Sequence, residues 1–87
     1  LLARMRQTRV YPDVKAVVRD LEPGEVVGSH QHQRGHLTVI QGDCTMILGD
    51  GREVRVINDA FYVPAEMVHS IRANVRSRMF CVGREDF

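Results

Sequence analysis

Long hydrophobic runs are missing from this sequence. None approaches the roughly eighteen residues that a transmembrane helix needs, so no membrane partner is expected. An excess of charge of one sign is missing as well. Twelve basic residues face eleven acidic ones with the signs interspersed, and the formal net charge is +1. That balance argues against a nucleic-acid binder driven by bulk charge, and no nucleic-acid partner is expected. Cysteine is scarce: Cys44 and Cys81 lie far apart and form no C-x-x-C motif. A disulfide framework is therefore disfavoured, and a reducing, cytoplasmic location is the expectation. Residues Leu1 to Arg4 show no charged segment followed by an apolar one, so nothing reads as a secretory signal. Gly-rich phosphate loops, zinc-finger spacing and a Ser-His-Asp constellation are all lacking. Lysine is nearly absent too. Lys15 stands against eleven arginines, a bias for which the sequence offers no structural reason.

What is present is ordinary globular composition: 44% hydrophobic and 26% charged residues, which excludes disorder and a collagen-like chain. Eighty-seven residues leave room for one core, so residues 1–87 are expected to form a single domain. A chain of this length buries only roughly 60–65% of its unfolded surface, so a metal or a partner subunit would be a useful reinforcement.

Residues 1–10 are ambiguous between strand and helix and are treated as an N-terminal arm. After residue 12 no amphipathic helix of useful length appears. Short runs rich in β-branched residues recur instead, each bounded by Gly, Pro, Asn or Asp. They fall at 14–19, 25–30, 36–41, 44–48, 52–57, 60–63, 68–73 and 77–82. Glu22-Pro23-Gly24 closes the first, and Gly49-Asp50-Gly51 is a strong hairpin signal. Eight or so short strands at spacings near ten residues predict an all-β fold, a sandwich or small antiparallel barrel.

All four histidines fall in two clusters. His30 and His32 flank Gln31, so on an extended strand both imidazoles project from one face. His36 follows after a break at Gly35. His69 lies downstream, on a strand announced by Pro64. Imidazole is the commonest protein ligand for Zn, Fe, Ni and Cu and binds as a neutral donor. Two histidines from one strand and two from others could close one site inside a barrel. The competing reading is a set of solvated or core-satisfied histidines.

The segment Gly24-x5-His30-x-His32-x3-His36-x5-Gly42 resembles the first signature of the cupins, in which two His and a Glu lie between glycines. Asn58-x5-Pro64-x-Glu66-x2-His69-x4-Asn74 resembles the second, which opens on Gly and carries a second Gly after its Pro. The resemblance places motif 1 at 24–42 and motif 2 at 58–74. It implies a jelly-roll barrel, or double-stranded β-helix, binding one divalent metal ion (Fe, Zn, Ni, Mn or Cu). It also implies His30, His32 and His69 as ligands, with His36 at the Glu position. Three departures stand out. His36 replaces Glu, the interval to Gly42 is one residue short, and Asn58 and Glu66 occupy turn positions held by Gly. The short interval leaves open whether His36 faces inward.

If His36 faces the lumen, Thr38 and Ile40 share its face, and His69 brings Ile71 and Ala73 inward. Met46 or Ile47, Phe61 or Tyr62, and Met79 or Phe80 each offer one inward residue. Thr38, Ile40, Met46, Phe61 and Ile71 are the candidates for a substrate pocket, against a reading as plain core. Glu66 is a candidate general base or a partner orienting an imidazole, against a solvated turn carboxylate. Arg34 could meet an anion, against a solvated loop-tip residue, and Cys44 and Cys81 read as small core residues, against soft metal ligands or reactive thiols. By resemblance the function is that of a small metal-binding cupin acting on a small molecule, a dioxygenase or isomerase. The alternative is a non-catalytic, sensor-type binding module. A homodimer is also expected, with Leu37 and Val39 as apolar outward residues.

Overall fold

The alternation His36-Leu37-Thr38-Val39-Ile40-Gln41 sets the pattern for the molecule: His36, Thr38 and Ile40 are buried while Leu37 and Gln41 are exposed. The computed structural model describes residues 5–11, 13–30 and 33–84, with side chains for 13–28 and 33–84. It contains nine strands: β1 (Met5–Tyr11), β2 (Val14–Leu21), β3 (Val26–His30), β4 (His36–Gln41), β5 (Asp43–Leu48), β6 (Glu53–Ile57), β7 (Ala60–Val63), β8 (His69–Ala73) and β9 (Ser77–Arg84). No helix occurs among the described residues. The all-β reading holds, and each expected strand lies within two residues of an observed one. Of residues 1–10, ambiguous in the sequence, 5–10 together with Tyr11 form β1 and pair with β2.

The strands form two antiparallel sheets, ordered β1-β2-β9-β4-β7 and β3-β8-β5-β6. Strands adjacent in sequence often lie in opposite sheets, as β4 and β5 do, so the chain repeatedly crosses the sandwich in jelly-roll fashion. Facing rows of apolar residues close the interior. Leu21, Ile40 and Met79 of the first sheet meet Cys44, Met46, Val56, Ile71 and Ala73 of the second in one cluster. Full burial of an Ile or Leu such as Ile40 or Leu21 contributes about 1.5–3 kcal/mol.

Two turns at one end are locked to each other. Gly42 joins β4 to β5 with φ +126°, and Asn58 joins β6 to β7 with φ +45°. Gly42 N donates to Asn58 Oδ1 at 2.8 Å, and Asn58 N donates to the Gly42 carbonyl at 3.0 Å. A side chain at Gly42 would collide with Ser77, since its Cβ would stand 2.3 Å from Ser77 Oγ. The register of β4, and with it the inward aim of His36, is fixed by this turn.

Candidate functional site

His36 and His69 head β4 and β8, one from each sheet, and both are buried, at 3% and 1% exposure. Their ring centroids lie 5.9 Å apart with the planes tilted by 42°. The short interval to Gly42 has therefore not turned His36 outward. Its backbone neighbours are Val63 on β7 and Gly83 on β9.

His69 is oriented by the turn before it. Met67 N donates to the Pro64 carbonyl at 3.3 Å, and this turn carries Glu66 at φ +63°. The Met67 carbonyl then stands 2.8 Å from His69 Nδ1. A carbonyl only accepts, so Nδ1 carries the proton and Nε2 keeps its lone pair. Such an arrangement holds an imidazole in the state that ligates metals.

The backbone register sets His30 opposite His69 across β3 and β8. The His30 side chain and all of His32 lie outside the described residues. Among the described residues, no three of His, Cys, Asp and Glu gather at one point, and the observable part of the site is the His36–His69 pair. The spacing of that pair allows a shared ion at a wide angle between the two nitrogens. With metal–nitrogen bonds of about 2.1 Å, two imidazole centroids on a shared ion lie at most about 6.5 Å apart, and the observed 5.9 Å is within reach.

The inward choices left open by the sequence resolve to Met46, Phe61 and Met79 rather than Ile47, Tyr62 and Phe80. Ile40, Met46 and Ile71 pack in the central cluster, and Phe61 rests against it. Thr38 is fully buried two residues from His36, and its Oγ1 is 3.7 Å from Cys81 Sγ. Burial pushes the Cys81 and Cys44 thiols up, so both stay protonated, and both cysteines are free. Glu66 and Arg34 are exposed. The Met67 carbonyl had no counterpart in the sequence reading. Pro64 was its only signal.

No family model and no curated protein matches the sequence. Solved structures do match. A cupin superfamily protein of Desulfitobacterium hafniense superposes with TM-score 0.85 at 20% identity, over 95% of this chain and 77% of its own. The chain has the cupin fold. KdgF from a Halomonas species matches with TM-score 0.73 at 28% identity, over 92% of this chain and 79% of its own. Salicylate 1,2-dioxygenase from Pseudoaminobacter salicylatoxidans, solved in complex with gentisate, matches with TM-score 0.82 at 15% identity. That match covers 92% of this chain but 24% of the dioxygenase.

The backbone bears on the third departure, the residues at the turn positions. Gly24 and Gly42 of the first motif have φ of +82° and +126°. Asn58 and Glu66, at the glycine positions of the second, have φ of +45° and +63° and are the non-glycine residues in the left-handed region among those described. Asn tolerates that region and also bonds Gly42 through its side chain, whereas Glu66 holds it at a steric cost.

Proposed function

We propose that this cupin holds one divalent metal ion on His30, His32, His36 and His69 and uses it to bind and transform a small organic molecule, as a dioxygenase or isomerase. The observation that carries this reading is the buried His36–His69 pair, with the Met67 carbonyl fixing the tautomer of His69. A core that needed only to be filled would place apolar side chains there, because an imidazole costs more to desolvate. The backbone register of His30 against His69 supports the same centre. When bound, the ion supplies Lewis-acid polarisation, and a redox-active ion also supplies chemistry with dioxygen.

The chain's own residues supply the setting. His69 presents Nε2 from one sheet and His36 presents its ring from the other, so the donors are held before any ion arrives. Thr38, Ile40, Met46, Phe61 and Ile71 form the wall behind them, which excludes water and favours an apolar substrate face. Glu66, on the turn that orients His69, is the candidate for proton transfer at the mouth. A neighbour solved with gentisate supports a small aromatic acid as one substrate to try. The two free thiols suit a cytoplasmic protein, and the working unit is a homodimer.

Elemental analysis of the purified chain, followed by oxygen uptake with catechols, thiols and diketones with and without Fe(II), tests the proposal. About one equivalent of metal and turnover on one class is the expected result. Stoichiometric metal without oxygen uptake would remove the dioxygenase, and absence of any product by NMR of the same incubations would remove the isomerase too and leave a binding module. Absence of metal at neutral pH after reconstitution would remove the metal reading altogether.

A further inference from the structure

The single lysine of the chain, Lys15, lies on the inner side of its strand. Leu21, at the far end of β2, is fully buried, so alternation turns Arg19, Val17 and Lys15 to the same side. The register agrees, and it runs without a shift. Lys15 pairs with Gly83 and Gly83 with His36, which sets the three in one row across β2, β9 and β4. Directly paired residues share a face of the sheet, and His36 is buried between the sheets. The next rows repeat the pattern: Val17 with Cys81 and Thr38, then Arg19 with Met79 and Ile40. Arg19 shows the same aim through its field. Burial pushes the Cys81 thiol up, while the Thr38 hydroxyl and the Arg19 charge pull it the other way. Strands lie about 4.8 Å apart, so the Lys15 and His36 backbones are separated by roughly 10 Å. Gly83 between them has no side chain, and the half-buried Lys15 carries its ammonium on a flexible four-carbon stem.

Charge on the inner faces has one sign. By the same alternation, the inward residues of both sheets include no Asp or Glu among those described. His36 stands where the cupin signature carries a Glu, so the ligand set of the proposed centre is neutral and leaves a divalent ion its whole charge. Lys15 adds a second cation on the same row as one of the ligands. Two positive centres facing one space repel each other, and an anion between them turns that repulsion into two attractions.

We propose that Lys15 is the seat of a substrate carboxylate, held beside the ion on His36 and His69, so that the substrates of this protein are small organic acids. This rests on the metal reading above. The surroundings choose a carboxylate over a phosphate. Phosphate sites add a cradle of backbone N–H groups to a lysine, and no Gly-rich loop adjoins Lys15. The neighbouring row of Val17, Cys81, Thr38 and Phe61 offers a largely apolar wall to the carbon skeleton of an acid.

Calorimetric titration of the full chain tests the assignment, first with zinc and then, on the loaded protein, with benzoate, propionate, their amides and inorganic phosphate. Lys15→Met should bind zinc at least as tightly as the parent, since it removes a cation and no ligand. It should bind the acids at least about tenfold more weakly, through loss of a charge-assisted hydrogen bond. The amides, alike in shape but uncharged, should not distinguish Lys15→Met from the parent. Lys15→Arg keeps the charge and should hold the acids within about threefold of the parent. Arg19→Met removes the same charge four residues, about 13 Å, further along the strand and should change acid affinity by less than about twofold. A parent that takes up no zinc would end the metal reading, and the same ratios measured on the metal-free chain would then decide the seat. The seat is overturned if neither acid binds the parent, if Lys15→Met binds them equally, or if phosphate outcompetes them. An Arg19→Met as damaging as Lys15→Met would overturn it too, because the effect would then be one of general charge.

Discussion

His36 is the residue on which the ligand count turns. It is 3% exposed and its ring centroid lies 5.9 Å from that of His69, so under the four-histidine proposal alanine would remove a donor that only water could succeed. His36→Ala should weaken metal binding by roughly ten- to a hundredfold, in the range of a second-sphere loss or beyond it. His36→Glu should retain the ion, since a carboxylate oxygen binds at about the same distance, near 2.0–2.2 Å. Metal titration at pH 7.5 separates the cases, and equal affinity in all three proteins would remove His36 from the ligand set. Glu66 allows a different test. Its φ of +63° costs about 1–2 kcal/mol in an L-residue, and glycine would shed that strain while adding freedom to the unfolded chain. Glu66→Gly should raise stability by about 0.5–1 kcal/mol in urea unfolding. If the carboxylate also moves a proton, the same variant loses turnover while gaining stability, a split that a purely structural turn residue would not produce.

At the scale of elements, turns carry more of the specificity than strands do. Ser77 Oγ accepts from Asp43 N at 3.1 Å directly beside Gly42, and the space left by the missing Gly42 side chain is what admits it. Gly42→Ala should cost about 2–3 kcal/mol, from φ +126° and from displacing that hydroxyl. Asp43 itself ties β5 to β6 and to the end of β8. Arg55 donates to its carboxylate through Nε at 3.0 Å and through Nη2, and Asn74 Nδ2 donates at 2.9 Å. These bonds hold its carboxyl down at about 2, against 3.8 ordinarily. The folded value lies below the unfolded one, so the contribution is complete above about pH 4 and is lost as pH falls towards 2. Asp43→Asn in chelated protein should flatten the acid limb of the stability profile between those values, and high salt should shrink the difference. The strands themselves were legible in the sequence because β4 and β6 alternate cleanly and Gly, Pro and Asn mark their ends. β1 was not, since residues 5–11 become a strand only by pairing with β2. Sheet membership was also hidden, as β9 pairs with both β2 and β4 across long stretches of chain. The phase of each strand after a turn depends on turn geometry, which is why Met46 could not be told from Ile47. The histidine clusters were visible as letters. The Met67 carbonyl was not, because any residue supplies a backbone acceptor.

For the whole molecule, the question is how a thin core is held together. Nine hydrophobic residues are buried among those described, and two of the buried polar ones are His36 and His69, in the space between the sheets. Without an ion, the two imidazoles are desolvated at a cost that the small apolar cluster must offset. With one, a bridge spans β4 and β8 and so joins the sheets at the end remote from the Gly42–Asn58 lock. Binding to the folded state alone adds RT ln(1 + [L]/Kd), about 2.7 kcal/mol at a hundredfold excess over Kd. In a domain of this size each kcal/mol moves the midpoint by about 4–8 °C, so saturation should raise Tm by roughly 10–20 °C. Chelation at pH 7.5 should return Tm to the apo value, and adding back Zn or Fe(II) should restore it in proportion to occupancy. The rise should be smaller in His69→Ala than in a variant of an exposed strand residue such as Ile57→Ala, because that change removes one of the proposed donors from the β3-β8-β5-β6 sheet. A midpoint that ignores the chelator would mean that hydrogen bonds and packing alone hold the two sheets together.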